Sequence, residues 1–245
     1  MTCAIIVQAR MTSTRLPGKV LKDVQGKPLL EYLVERLRRV RLADTFAVAT
    51  TCNDTDLPIV DFCRRLDVPV TRGSEFDVLA RYYEAALELD AETVVRITSD
   101  CPIIDPAVID DVIRFYLDHQ EQYDYVSNAL IQSYPYGMSA EVFSFRALAE
   151  AHREAVAEPE REHVTPFIYT RPQRYRIGHV SYPQNLGDHR WTVDTQEDFD
   201  LVRRIIESLY PVNPAFGLQD VLALLQEHPD WPQINAHIRQ KKLGE

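Results

Sequence analysis

Roughly the first hundred residues alternate short apolar runs with amphipathic helical stretches, and few folds accept that order. Residues 4–7, 46–49 and 94–97 each read as a short buried strand, the last with Arg96 inside it. Between them, Pro28 opens a helical stretch in which Leu29, Leu33 and Leu37, and likewise Leu30 and Val34, recur at spacings of four. Proline suits a first helical turn because its missing N–H has no intrahelical partner there. Residues 57–66 form a second helical stretch. A third begins after Ser74, where Ser74 and Asp77 read as a capping box. Strand, helix, strand, helix in this order requires parallel strands joined by right-handed crossovers. The fold class is therefore α/β, with ligands expected at the carboxyl ends of the strands.

Beyond about residue 122 the pattern changes. Residues 123–126 and 141–145 are strand-like, helices are expected near 145–156 and 161–170, and residues 174–182 alternate like an edge strand. Residues 195–209 form a helix with Thr195 and Asp198 as its capping box. The tail after about 228 reads as a small closing helix or a partly ordered end. No linker, repeat or low-complexity stretch divides the chain. One domain over 1–245 is expected, with a nucleotide-binding half (about 1–122) and an acceptor-binding half (about 123–245) that could also support dimerisation.

Net charge is −10, from 27 basic and 37 acidic residues, which argues against a nucleic-acid or anionic-membrane binder. No run of about 18 apolar residues occurs, so neither a signal peptide nor a membrane span is expected. The four cysteines, at 3, 52, 63 and 101, have no paired spacing. Cys3, Cys52 and Cys63 read as core or near-core thiols, and a reducing cytoplasm is the simplest compartment.

An acidic chain can still bind an anion through a local basic loop. The first strand exits into Gln8-Ala9-Arg10-Met11-Thr12-Ser13-Thr14-Arg15-Leu16-Pro17-Gly18-Lys19. Arginine offers forked donors to paired oxygens, lysine a mobile point charge, and hydroxyls and backbone N–H groups complete the shell of a polyphosphate. For any one residue a solvated charged loop is the better explanation; for the whole set at a strand's carboxyl end, an anion cradle is. Val20 follows Gly18-Lys19 and Ser13 replaces the first glycine, so this is not a Walker A loop, and no GxGxxG occurs.

Asp100, in Ser99-Asp100-Cys101-Pro102, leaves the third strand where a carboxylate could hold Mg²⁺ or merely start a turn. Asp105 precedes Pro106 and is expected to cap a helix. Asp194 leaves an apolar run and enters a helix whose cap position Thr195 already fills. Two D-x-D strings, Asp54-Thr55-Asp56 and Asp198-Phe199-Asp200, read as helix starts and not as glycosyltransferase ligands. Arg72 sits at a strand end, and Arg96 within a strand needs an acid or a nucleotide as partner.

QARMTSTRLPGK followed by GKPLLEYLVERL closely resembles the opening of the cytidylyltransferase family that includes spore-coat polysaccharide biosynthesis proteins. That group is related to the acylneuraminate and 3-deoxy-manno-octulosonate cytidylyltransferases. The resemblance runs on through RGSEFDVLARYYEAA, VVRITSDCPIIDP, GMSAEVFSF, EREHVTPFIY and RWTVDTQEDFDLV, covering about residues 3–209 in order. It implies a Rossmann-like three-layer α/β/α sandwich of the nucleotide-diphospho-sugar transferase type, with a mixed, mostly parallel sheet. The implied reaction moves CMP from CTP to an acidic sugar or sugar-like acceptor and releases pyrophosphate, with Mg²⁺ as cofactor.

By position, Ala9, Arg10, Ser13, Arg15 and Lys19 would hold the triphosphate, with Lys19 and Arg10 acting catalytically. Arg72, Ser74, Asp77 and Arg81 belong to a segment that would lie beside the nucleotide, with Arg72, Asp77 and Arg96 as its ligands. Asp100 and Asp194 would carry the metal. Asn128, Gly137, Glu141, Arg161, His163, Thr165 and Arg190 would face the acceptor. Relatives commonly have Asp and Val where this chain has Ser139 and Ala140, and often an Asp where it has Tyr136, so the acceptor is the least defined element. A homodimer is common among such relatives, though the residues themselves do not derive one. A GT-A type glycosyltransferase and a non-catalytic nucleotide-binding subunit are the competing readings.

Overall fold

A computed structural model describes residues 2–240. Strand β1 (Cys3–Gln8) leads through a short 3-10 turn (Lys19–Leu21) to a small hairpin, β2 (Asp23–Val24) and β3 (Lys27–Pro28), and then to helix α1 (Leu29–Leu37). Next come β4 (Thr45–Thr51), α2 (Leu57–Arg65), β5 (Val70–Gly73), α3 (Val78–Glu88), β6 (Thr93–Thr98) and α4 (Pro106–Asp118). The second half contains β7 (Tyr125–Ser127), β8 (Glu141–Ser144), α5 (Phe145–Glu154), α6 (Glu158–His163) and α7 (Pro166–Tyr169). It closes with β9 (Ile177–His179), α8 (Gln196–Leu209) and α9 (Leu218–Glu227).

Seven strands form one sheet in the order β5-β4-β1-β6-β8-β7-β9. The β5-β4-β1-β6 block is parallel, β8 runs antiparallel to both β6 and β7, and β9 is a parallel edge. This is the mixed, mostly parallel α/β sandwich that the sequence implies. Side chains of a strand alternate between faces, and here both faces are dry. Ile5 and Val7 join the core under α1, α4 and α8, while Ala4 and Ile6 join the core under α3 and α5. Each of the Ile and Val side chains, fully removed from water, contributes about 1.5–3 kcal/mol.

The chain winds outward from β1 in both directions, through β4 to β5 and through β6 to β8. Between β1 and β6 the order reverses, and such a switch point opens a crevice at the strands' carboxyl ends. The loop after β1 and Asp100 after β6 both emerge there.

Several local expectations shift. Pro28 is the residue before α1, not its first member. Ser74 and Asp77 do not form a capping box: Asp77 is itself the N-cap of α3, accepting from Ala80 N at 2.9 Å, while Ser74 Oγ accepts from Asp77 N at 3.1 Å. The helix expected over 161–170 is two short helices. Val164 breaks it with φ +73°, and Pro166 lacks the N–H needed to continue it. Cys52 is exposed, unlike Cys3 and Cys63. Helix α9 was not expected; Asp105, which caps α4 as foreseen, also accepts from Leu218 N at its start. Within the tail, Trp231–Ile234 forms a 3-10 turn, and residues 241–245 lie outside the described residues. No helix among the described residues is long and apolar enough to cross a membrane.

Candidate active site

A cleft of about 530 Å³ opens at the switch point. The loop after β1 forms one wall. Its shape is set by Gly18, whose φ of +69° favours glycine, and by the Gly18 N–H donated to Met11 O at 2.9 Å. Asp56 pins the loop from below. It is fully buried, accepting from Met11 N at 2.7 Å on one oxygen and from the Thr50 and Thr51 hydroxyls on the other. The first D-x-D string thus holds the loop's backbone and does not reach the cleft.

Lys19 is the centre of the site. Its Nζ lies 2.7 Å from Asp194 Oδ1 and 3.4 Å from Asp100 Oδ2. The two carboxylates, far apart in sequence, are registered through backbone: Val193 N donates to Asp100 O at 2.8 Å, and Thr192 Oγ1 to the same oxygen at 3.2 Å. Thr98 Oγ1 donates to Asp100 Oδ1 at 2.5 Å. Arg15 reaches Asp194 Oδ2 at 3.0 Å.

Behind Asp194 lies a second set of charges. Arg190 donates to Asp194 Oδ2 at 2.9 Å and to both oxygens of Asp198. Asp198, fully buried, also accepts from the backbone N–H groups of Asp194 and Thr195 and from Asn235 Nδ2. The expected capping box of α8 is present, and its acid additionally positions Asp194.

Burial would lower the Lys19 pKa, but Asp100 and Asp194 raise it above its ordinary value. Burial would raise Asp100, but Lys19 and the Thr98 hydroxyl hold it well below the usual carboxylate range. A raised lysine contributes stability below its unfolded pKa and loses it as pH rises through the folded value. A depressed aspartate contributes above its unfolded pKa and loses it as pH falls through the folded value. The pair is therefore charged at both ends between about pH 5 and 9. A pH–rate profile is expected to show no ionisation of either group in that window. An inflection there that Lys19→Arg displaces would contradict this.

Ala9, Arg10, Ser13, Arg15 and Lys19 all line the cleft, with Arg10 3.9 Å from Glu75. Arg96, Glu141, His163 and Thr165 line its other end. Arg96 meets its acid in Glu141, which also accepts from Tyr125 Oη at 2.7 Å and Thr165 Oγ1 at 2.5 Å. His163 and Thr165 flank the left-handed Val164, and burial lowers the His163 pKa, favouring the neutral ring.

Other expected residues are engaged elsewhere. Arg72 donates to the carbonyls of Thr51 and Asn53 at 3.0 and 3.3 Å, closing a strand end away from the cleft lining. Asp77 caps α3 and pairs with Arg161, so neither reaches the cleft. Asn128 spends its amide on Met138 O and Ala140 N. Arg190 is committed to Asp194 and Asp198. Gly137, with φ +100°, packs on the Trp191–Thr192 backbone, where an added Cβ would lie 2.7 Å from Trp191 C. Gly137→Ala is expected to cost about 2–4 kcal/mol by chemical denaturation; a change under about 0.5 kcal/mol would contradict the packing. Arg81, expected beside the nucleotide, lines the cleft, and so does Tyr125, which was not among the expected site residues.

The cytidylyltransferase family profile matches residues 4–226. Protein MJ1063 of Methanocaldococcus jannaschii is 37% identical over 242 residues, 98% of this chain and 97% of that one. Spore coat polysaccharide biosynthesis protein SpsF of Bacillus subtilis is 32% identical over 232 residues, 92% of this chain and 94% of that one. A cytidylyltransferase structure from Leptospira borgpetersenii superposes with a TM-score of 0.90 at 26% identity, covering 99% of this chain and 100% of that one. With the expected fold in place and the match extending over nearly the whole sequence, the chain belongs to the cytidylyltransferase family and is a nucleotidyltransferase.

Proposed function

We propose that this enzyme transfers CMP from CTP to a hydroxyl of a sugar-class acceptor and releases pyrophosphate, with Mg²⁺ held by Asp100 and Asp194. The observation that carries this reading is the convergence of both carboxylates on one ammonium, Lys19 Nζ, beside a cationic loop. Two carboxylates already gathered around a cation fit an ion that takes one or two carboxylates plus phosphate and water. Such an ion would supply positive charge against the phosphate oxygens. Arg10 and Arg15 are the forked donors for the polyphosphate, and Lys19 is the mobile charge for the phosphorus under attack. Arg190 and Asp198 keep Asp194 in place.

The arginines expected to face an acidic acceptor, Arg161 and Arg190, are paired with internal carboxylates, and Arg96, expected along the nucleotide, is matched by Glu141. The reading therefore specifies a hydroxylated acceptor and leaves its charge open. The glycosyltransferase alternative has less support, because neither D-x-D string lines the cleft. Pyrophosphate release from a panel of nucleoside triphosphates, with an acceptor pool and with or without Mg²⁺, tests the proposal. Release is expected with CTP and Mg²⁺. Turnover of a sugar nucleotide, with none of any triphosphate, would sink it.

A further inference from the structure

The chain after α9 returns to the cleft, although the family profile ends at residue 226. Its first part is packed down. Trp231 and Ile234 lie against the core, and the Trp231 ring stacks on His228 at 4.3 Å and lies 5.6 Å from the Arg204 guanidinium. Asn235 follows, 2% exposed, and Ile238 N donates to its carbonyl at 2.9 Å. Asn235 Nδ2 donates twice, to Arg190 O at 2.9 Å and to Asp198 Oδ1 at 2.8 Å. The segment then reaches Gln240, an exposed residue that lines the cleft. Gln240 Oε1 accepts from Arg190 Nη1 at 2.5 Å.

We infer that Asn235 and Gln240 are positioning residues that hold Arg190, and through it Asp194, in the geometry that takes the metal. This rests on the proposal that Asp194 carries Mg²⁺. Arg190 Nη2 is shared between Asp194 Oδ2 at 2.9 Å and Asp198 Oδ2 at 3.0 Å. A guanidinium on a long, rotatable stem could slide toward either acid, and Asp194 would shift with it. Asn235 ties the arginine's backbone to its buried counter-ion, so Asp198 is kept from turning away. Gln240 holds Nη1, the nitrogen that neither carboxylate takes. Both groups are amides, and their neutrality matters. A carboxylate at 240 would draw Arg190 off Asp194, and an ammonium at 235 would compete with Arg190 for Asp198. Partners that orient a metal ligand directly commonly change its affinity for the ion by about tenfold or more. Asn235 and Gln240 act one contact further back, so smaller factors are expected.

The test is equilibrium binding of Mn²⁺ to the nucleotide-free full chain in a Lys19→Met background, because the ammonium otherwise stands between the two carboxylates. Asn235→Leu keeps roughly the same side-chain size and removes both donors. It should weaken Mn²⁺ by about fivefold or more. Gln240→Ala should weaken it by about threefold, since one exposed bond to a charged group is lost. His237→Ala, on the same segment but 4.0 Å from Glu197, should leave it within about twofold. Unchanged affinity in Asn235→Leu would overturn the inference. If thermal melting shows that variant unfolded, Gln240→Ala decides, and unchanged affinity there overturns the inference equally. Equal weakening by His237→Ala would reduce the effect to a general loosening of the segment and overturn it too. If Lys19→Met alone takes up no Mn²⁺, the metal proposal itself fails, and the inference with it.

Discussion

Asp194→Asn is expected to lower turnover by about 10³-fold or more while tightening the binding of nucleotide polyphosphate. Both effects follow from one side chain. Asp194 is paired with Lys19, Arg15 and Arg190. Removing its charge takes one of the two carboxylates from the proposed metal position, a loss on the scale of deleting a preorganised catalytic charge. It also releases Arg15 and half of the hold on Lys19, leaving cations that a triphosphate can claim. Direct binding of CTP by calorimetry and pyrophosphate release measured together separate the effects. Parallel falls in affinity and rate would mean that Asp194 holds the site's shape and nothing more. Stability should drop by only about 1–3 kcal/mol, since Arg190 retains Asp198 and Lys19 retains Asp100.

Lys19→Met is the second large effect, with turnover again lower by about 10²–10³-fold. The side chain keeps most of its length and apolar stem, so the 3-10 turn of Lys19–Leu21 should fold as before. The sign of the binding change is opposite to that of Asp194→Asn: a cation is lost, so CTP binds more weakly. Asp100 and Asp194 are left facing each other without the ammonium between them, and their proximity disfavours both being ionised. A divalent cation should therefore bind the nucleotide-free variant more tightly than it binds wild type. Titration with Mn²⁺ reads this directly, and equal affinities would show that the ammonium does not occupy the metal's place.

The parallel core of the sheet was legible because residues 4–7 and 46–49 are apolar at every position, which only a strand covered on both faces requires. The loop was legible because its cations, hydroxyls and Pro-Gly turn follow directly on a strand. What could not be read was where each charge points. Arg161 and Arg190 look like ligand arginines in isolation, but Asp77 and Asp198 claim them, and those acids lie 84 and 8 residues away in the chain. Arg81 shows the converse. Its segment resembles the nucleotide side of the family, but the lack of a partner for its Nε and Nη1 among the described residues is visible only once α3 is packed. Helix α9 was missed for a related reason. Pro214 and Gly217 punctuate its approach, and Asp105, which supports its first turn, belongs to another element.

The pairing of Arg15 and Lys19 with Asp194 bears on how the enzyme should respond to ionic strength. An open loop with three free cations would gather mobile counter-ions, and nucleotide binding would release them, giving affinity a steep fall with added salt. Here Arg15 and Lys19 already hold Asp194, and Arg10 lies 3.9 Å from Glu75. Binding trades one anion for another inside a screened cleft, so few mobile ions need be displaced. The affinity for CTP should therefore vary only gently with salt, and the steep dependence should return when Asp194 is neutralised.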